Sequence, residues 1–219
     1  YPAEQAFGDR AHATEVAAAF LDELLRNGTT TALVFGTVHA HSADVIFEAA
    51  AARGMRLMAG KVMMDRNCPE ALRDTPESAY AESRELIERW HGKDRLGYAI
   101  TEFPDTWVHT HLAENTDEVD VIRKLYPRHR SYLDVYEQFG LLRERSVFAH
   151  CLHLDDEDRQ CMANKGGASA FCPTSNLFLG SGLFDLRAMR AAKVRCGLGT
   201  DVGGGTSLSL LRTASEAYK

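Results

Sequence analysis

Seven short apolar runs, all but the third followed by a stretch with helical spacing, recur along the chain, and this alternation constrains the fold more than any other feature. The runs are residues 30–37 (TTALVFGT), 56–64, 96–101, 107–111, 146–150 (SVFAH), 168–172 and 194–199. They are apolar throughout rather than alternating with polar residues, the pattern of parallel strands covered on both faces. Between them, residues 12–26 place Val16, Phe20, Leu21, Leu24 and Leu25 at helical spacing, and Asn27-Gly28 stops that helix. Ser42 is expected to cap a helix running through Arg53 and ended by Gly54. Residues 75–91, 118–126, 131–139, 155–164, 184–192 and 207–218 read as further helices. A (β/α) barrel and a doubly wound sheet both satisfy this series. No linker, repeat or low-complexity tract divides it, so residues 1–219 are expected to form one domain.

One connection breaks the pattern. Only Glu102 to Thr106 separate the third run from the fourth, whereas a parallel crossover needs about ten or more residues. We expect residues to be missing between Thr101 and Glu102.

Composition excludes several classes. Lys plus Arg is 25 and Asp plus Glu is 31, a net charge of −6 with no basic block, which disfavours nucleic-acid binding. No stretch approaches the roughly 20 apolar residues of a membrane span. The start, Tyr1-Pro2-Ala3-Glu4, has neither the basic nor the apolar part of a leader and no Met, so the true beginning of the protein is expected elsewhere. The five cysteines, Cys68, Cys151, Cys161, Cys172 and Cys196, include no CxxC pair; buried free thiols of a cytoplasmic protein are the expectation, with Cys151, Cys172 and Cys196 inside apolar runs.

Polar clusters gather where apolar runs end: His109-Thr-His111-Leu-Ala-Glu114-Asn115, Ala149-His150-Cys151, Cys172-Pro-Thr-Ser-Asn176 and Gly199-Thr-Asp201. In parallel barrels those strand ends converge on the active site. Imidazole and carboxylate there suit a metal ion that activates water, with a non-ligating glutamate moving protons. Each residue also has a plainer reading. His111 or His150 alone suits a hydrogen-bonded core histidine, Asp201 before Val-Gly-Gly-Gly suits the start of a turn, and Glu114 suits the first turn of a helix. His109 and His111 point the same way on a strand, and His39-Ala-His41 makes a second HxH. The Gly203–Gly205 run lacks the remainder of a P-loop.

The segments HTHLAEN, VFAHCLHL, FCPTSNLFLGSGLF and GLGTDVGGGTS, with MMDRNCPEALRDT upstream, resemble the bacterial guanine deaminases of the amidohydrolase superfamily along essentially the whole chain. The resemblance implies a metal-bearing (β/α)8 TIM-type barrel of the metal-dependent hydrolase kind, incomplete in this chain. It implies one divalent metal, zinc or iron, held by His111 and Asp201. Glu114 would shuttle protons, His150 would lie beside the metal and orient water or substrate, and Asn176 would hold the loop that follows the strand at 168–172. His111, Glu114 and Asp201 would also meet a purine substrate, and the family implies a homodimer.

This chain also departs from the family pattern. The family's metal-binding HxH ends its first strand, and residues 30–37 resemble the second. The ligand pair therefore belongs upstream of Tyr1, and His39 and His41 are not expected to bind the metal; His109 is expected to be structural. The family's purine-contacting Arg-Phe pair falls in the segment expected to be missing. The alternatives are a related deaminase acting on another purine, a pterin or a triazine, and a metal-free, non-catalytic barrel fragment.

Overall fold

A computed structural model describes residues 1–99 and 105–219. The expected break between Thr101 and Glu102, and the end of the strand expected over 96–101, lie outside the described residues. The described chain divides into two compact units, Tyr1–Trp107 and Val108–Lys219.

In the first unit the short α1 (Pro2–Gln5) precedes α2 (Arg10–Arg26), β1 (Thr31–Phe35), α3 (Ala40–Ala52), β2 (Arg56–Gly60), α4 (Pro76–Trp90) and β3 (Leu96–Tyr98). The strands pair in parallel in the order β1-β2-β3, with Leu33 beside Met58 and Met58 beside Gly97. Ala13 and Ala17 of α2 pack against Val45 of α3, small side chains that let the two helices approach closely. Phe47, Leu57 and Tyr98 are fully buried. The cap expected at Ser42 is corrected: α3 begins three residues earlier in the chain, with His39 at the N-cap, and the Ser42 amide donates to the His39 carbonyl at 2.9 Å. A histidine-led start carries no short side-chain cap, which is why the sequence points to the next serine instead. Helix α4 follows its signals, since Thr75 and Ser78 form a reciprocal capping box behind Pro76.

Strand β2 ends at Gly60, short of the expected Met64. The next residue, Lys61, has a fully buried side chain. Its ammonium donates to Asp74 at 2.9 and 3.0 Å and to Glu82 at 2.5 Å. This pairing, with the Asp74 amide bound to the Met64 carbonyl at 2.7 Å, closes the 62–74 segment back on the end of the strand.

The second unit runs β4 (Val108–Leu112), α5 (Thr116–Leu125), α6 (Tyr132–Gln138), β5 (Ser146–His150), α7 (Asp156–Lys165), β6 (Ala168–Phe171), α8 (Pro173–Leu179), α9 (Leu186–Ala191), β7 (Arg195–Leu198) and α10 (Leu210–Tyr218). Its sheet is parallel throughout, in the order β4-β5-β6-β7. Leu112, Leu133, Phe148, Met162 and Met189 form the core between sheet and helices. Helix α8 is absent from the sequence reading. Cys151 and Cys172 are buried as expected, but Cys196 is exposed: among the described residues β7 pairs with β6 alone, and all of its residues are exposed. All five cysteines are free thiols. No described helix is long and apolar enough to cross a membrane.

Candidate metal centre

The site lies in the second unit, at the carboxyl ends of its parallel strands. The ladder pairs His111 of β4 with Ala149 and Leu112 with His150 of β5. It continues past the strand ends, where the Cys151 amide donates to the Leu112 carbonyl and the Leu152 amide to the Ala113 carbonyl. His111 therefore lies beside His150, and their rings stack at 5.3 Å with 16° between planes. Asp201 arrives from the turn after β7. Donor atoms of His111, His150 and Asp201 all lie within 4.8 Å of one another, and these three make up the only such group among the described residues.

Backbone geometry aims these groups. His150 and Cys151 have φ of 70° and 55°, Ala113 has 49° and Asp201 has 46°, values that L residues adopt at a cost of about 1–3 kcal/mol each. Surrounding contacts hold them there. At Asp201 the carbonyl accepts from the Gly205 amide at 2.5 Å, so the turn reading was right for the backbone while the carboxylate remains available to the site. Gly205 is required for that turn, since a Cβ there would lie 2.0 Å from the Thr200 carbonyl oxygen.

The left-handed Ala113 turns the chain so that Glu114 points back over the cluster. Its Oε2 stands 3.7 Å from His150 Nε2, and Asp201 Oδ2 stands 3.9 Å from the same nitrogen. The helix-start reading of Glu114 does not hold. Asn115 caps α5, the acids of its first turn are Asp117 and Glu118, and Glu114 precedes the cap. The Glu114 amide donates to Glu118 Oε2 at 2.8 Å, and Tyr132 donates to Glu118 Oε1 at 3.0 Å, which anchors the segment from behind.

His150 is fully buried. Its Nδ1 donates to Asn176 Oδ1 at 2.8 Å, which leaves the lone pair on Nε2, and that buried atom has no hydrogen-bond partner. An orphaned imidazole nitrogen facing two carboxylates and a second imidazole fits a divalent cation. Burial, and then the neighbouring His150, hold the His111 pKa below the usual histidine value, so the imidazole is kept neutral as a metal ligand must be. His109 is pushed down to about 4, chiefly by burial, and lies outside the group of convergent donors. The Cys172 thiol is pushed up to about 12 by burial and by nearby Asp201, which leaves it protonated and a poor nucleophile or ligand.

In the first unit, His39 and His41 stack at 5.6 Å, and His41 Nε2 donates to the Phe7 carbonyl at 2.7 Å. One ring nitrogen of His41 is thereby occupied. Asn176 sits in α8, where its side chain orients His150 and its carbonyl receives the Ser181 amide at 2.9 Å. The sequence reading missed Ser181. Its hydroxyl donates to Glu114 Oε1 at 3.1 Å, and the only local signal is a serine between two glycines after an apolar segment.

The family pattern described as "Amidohydrolase family" matches residues 7–219. Guanine deaminase of Escherichia coli strain K12 is 52% identical over 239 aligned positions, covering 100% of this chain and 54% of the relative. Because the chain has 219 residues, at least 20 of those positions have no counterpart here. The solved structure of E. coli guanine deaminase superposes with a TM-score of 0.98, covering 100% of this chain and 56% of that one. The guanine deaminase of C. acetobutylicum, solved with guanine in its active site, is 28% identical with a TM-score of 0.93, over 99% of this chain and 57% of that one. A zinc-bound adenosine deaminase from Xanthomonas campestris is 25% identical with a TM-score of 0.83, over 99% and 53%. The chain thus spans about half the length of the relatives it matches. Its parallel α/β fold is that of the amidohydrolase barrel type expected from the sequence. With a matching pattern over almost all of its length and a carboxylate–imidazole cluster at its strand ends, the chain belongs to the amidohydrolase family.

Proposed function

We propose that the complete protein hydrolyses guanine to xanthine and ammonia. The convergence of His111, His150 and Asp201 beneath the Glu114 carboxylate carries this reading. The 52% identity to a guanine deaminase supports the choice of substrate.

His111 and Asp201 would hold one divalent metal, zinc or iron, which supplies Lewis-acid activation that makes hydroxide available near neutral pH. Around it each side chain has a separate task. Glu114 takes one proton from water and delivers it to the purine ring nitrogen beside C2, then passes the proton of the new C2 hydroxyl to the departing amino group. The C2–O bond forms and the C2–N bond breaks, so water and guanine give xanthine and ammonia. Asp201 assists the first proton removal. His150, fixed by Asn176 with Nε2 facing the site, orients water or the purine. His111, Glu114 and Asp201 form the face that meets the flat base.

One catalytic domain spanning residues 1–219, a cytoplasmic location and a homodimer complete the reading, with a small-molecule purine and neither nucleic acid nor membrane as partner. The aligned positions that lack a counterpart here support a segment missing from this chain, in which a purine-contacting Arg-Phe pair would fall. The zinc-bound adenosine deaminase at 25% identity favours one second reading, deamination of another purine by the same residues.

The test is ammonia release from guanine, adenosine and a pterin by the complete protein, together with its metal content. Stoichiometric metal and a clear preference for guanine are expected. A metal-free protein that releases no ammonia would leave only the scaffold reading.

A further inference from the structure

Resting on the reading of Glu114 as the proton carrier, we infer that Ser181 is its positioning residue: the Ser181 hydroxyl holds Glu114 Oε1 and so aims Oε2 into the site. The Ser181 Oγ donates to Oε1 at 3.1 Å, while Oε2 faces His150 Nε2 at 3.7 Å. A carboxylate on a two-carbon stem has torsional freedom that a mobile proton carrier must not squander, and one fixed oxygen leaves the other facing the reaction. The hydroxyl itself is placed by backbone geometry. Helix α8 ends at Gly180 in the left-handed region, with φ of 72°, and the Ser181 amide is bound to the Asn176 carbonyl at 2.9 Å. The next residue, Gly182, has φ of 137°, a conformation that favours glycine. Asn176 also orients His150 through its side chain, so one helix end sets both the buried imidazole and the carboxylate opposite it.

A hydrogen bond to a charged group is worth about 1.5–3 kcal/mol, so its loss lowers turnover by roughly ten- to a hundredfold if it acts in the transition state. In the complete, metal-loaded protein, Ser181→Ala is expected to lower kcat by that factor, with KM within about twofold of the parent and metal content unchanged. Ser181→Thr, which keeps the hydroxyl, is expected to restore most of the loss. In a Glu114→Gln background Ser181→Ala should add almost nothing, because the group it positions is already disabled. Infrared difference spectra of the metal-free protein give a readout independent of turnover. The carboxylate band assigned through Glu114→Gln should move in Ser181→Ala and not in Ser181→Thr. If Ser181→Ala does not fold, Ser181→Cys, a weak donor of similar size, must show the same loss. Should Glu114→Gln abolish turnover while Ser181→Ala retains it, or should the two losses multiply, the positioning role is wrong and the proton-carrier reading stands. Near-parental turnover in Glu114→Gln overturns both.

Discussion

Glu114 and Asp201 stand at similar distances from His150 Nε2, 3.7 and 3.9 Å, yet the reading gives them different work. Substitution separates the two. A proton carrier acts in the transition state, whereas a ligand is needed before any substrate binds. Glu114→Gln in the complete protein is expected to keep its metal and fold while turnover falls by roughly 10²–10⁴. Asp201→Ala is expected to lose metal and activity together, measured by metal analysis beside ammonia release. If Glu114→Gln releases ammonia at nearly the parental rate, His150 or Asp201 must carry the protons. His111, His150, Glu114 and Asp201 were all legible as candidates because each lies at or just beyond the carboxyl end of an apolar run. The sequence could not show that His150 joins His111 and Asp201 in a single group of convergent donors. That convergence depends on the register pairing His111 with Ala149 and on the left-handed backbone at His150.

At the scale of elements, every described strand was legible, because short runs rich in apolar residues and bounded by glycine or polar clusters leave few alternatives. Helix α8 was not. Its seven residues, Pro173-Thr-Ser-Asn-Leu-Phe-Leu179, fall in the loop expected after the strand at 168–172, and the buried ones are Pro173 and the polar Thr174, Ser175 and Asn176. Tertiary contacts to the site make that helix, and no apolar stripe announces it. The excursion after β2 is a second case. Lys61 falls inside the strand expected over 56–64, but it lies past the end of β2 and its ammonium is buried between Asp74 and Glu82. Removing one member of a buried ion pair leaves its partner uncompensated, a loss of about 3–5 kcal/mol. Asp74 is mostly buried whereas Glu82 is 42% exposed, so water relieves part of the penalty and Lys61→Ala should fall at the lower end of that range. Denaturant unfolding checks it: an unchanged midpoint would show that the 62–74 segment is held by its backbone contacts alone. The capping box of α4 predicts a smaller effect, about 1 kcal/mol for Thr75→Ala in the same assay.

Across the whole molecule, His111 with Asp201 and the pair His39 and His41 are two candidate sets of metal donors, and linkage between binding and folding distinguishes them without an activity assay. A ligand that binds only the folded state stabilises it by RT ln(1 + [L]/Kd), about 2.7 kcal/mol at a free concentration 100 times Kd. Zinc added to the metal-free complete protein should therefore raise its unfolding free energy by about that amount. The increment should vanish in His111→Ala and in Asp201→Ala, whose donors converge. It should persist in Glu114→Gln, where no proposed ligand is lost. His41 provides the counter-case. Its Nε2 is engaged by the Phe7 carbonyl and its ring stacks on His39, contacts that tie His41 into the first unit's packing. His41→Ala should therefore lower the stability of the metal-free protein, by removing that hydrogen bond and ring contact, while leaving the zinc increment intact. The two effects are separable because one is read without metal and the other as a difference on adding it. A His41→Ala variant with an undiminished metal-free stability and no zinc increment would overturn this and place His41 among the metal ligands.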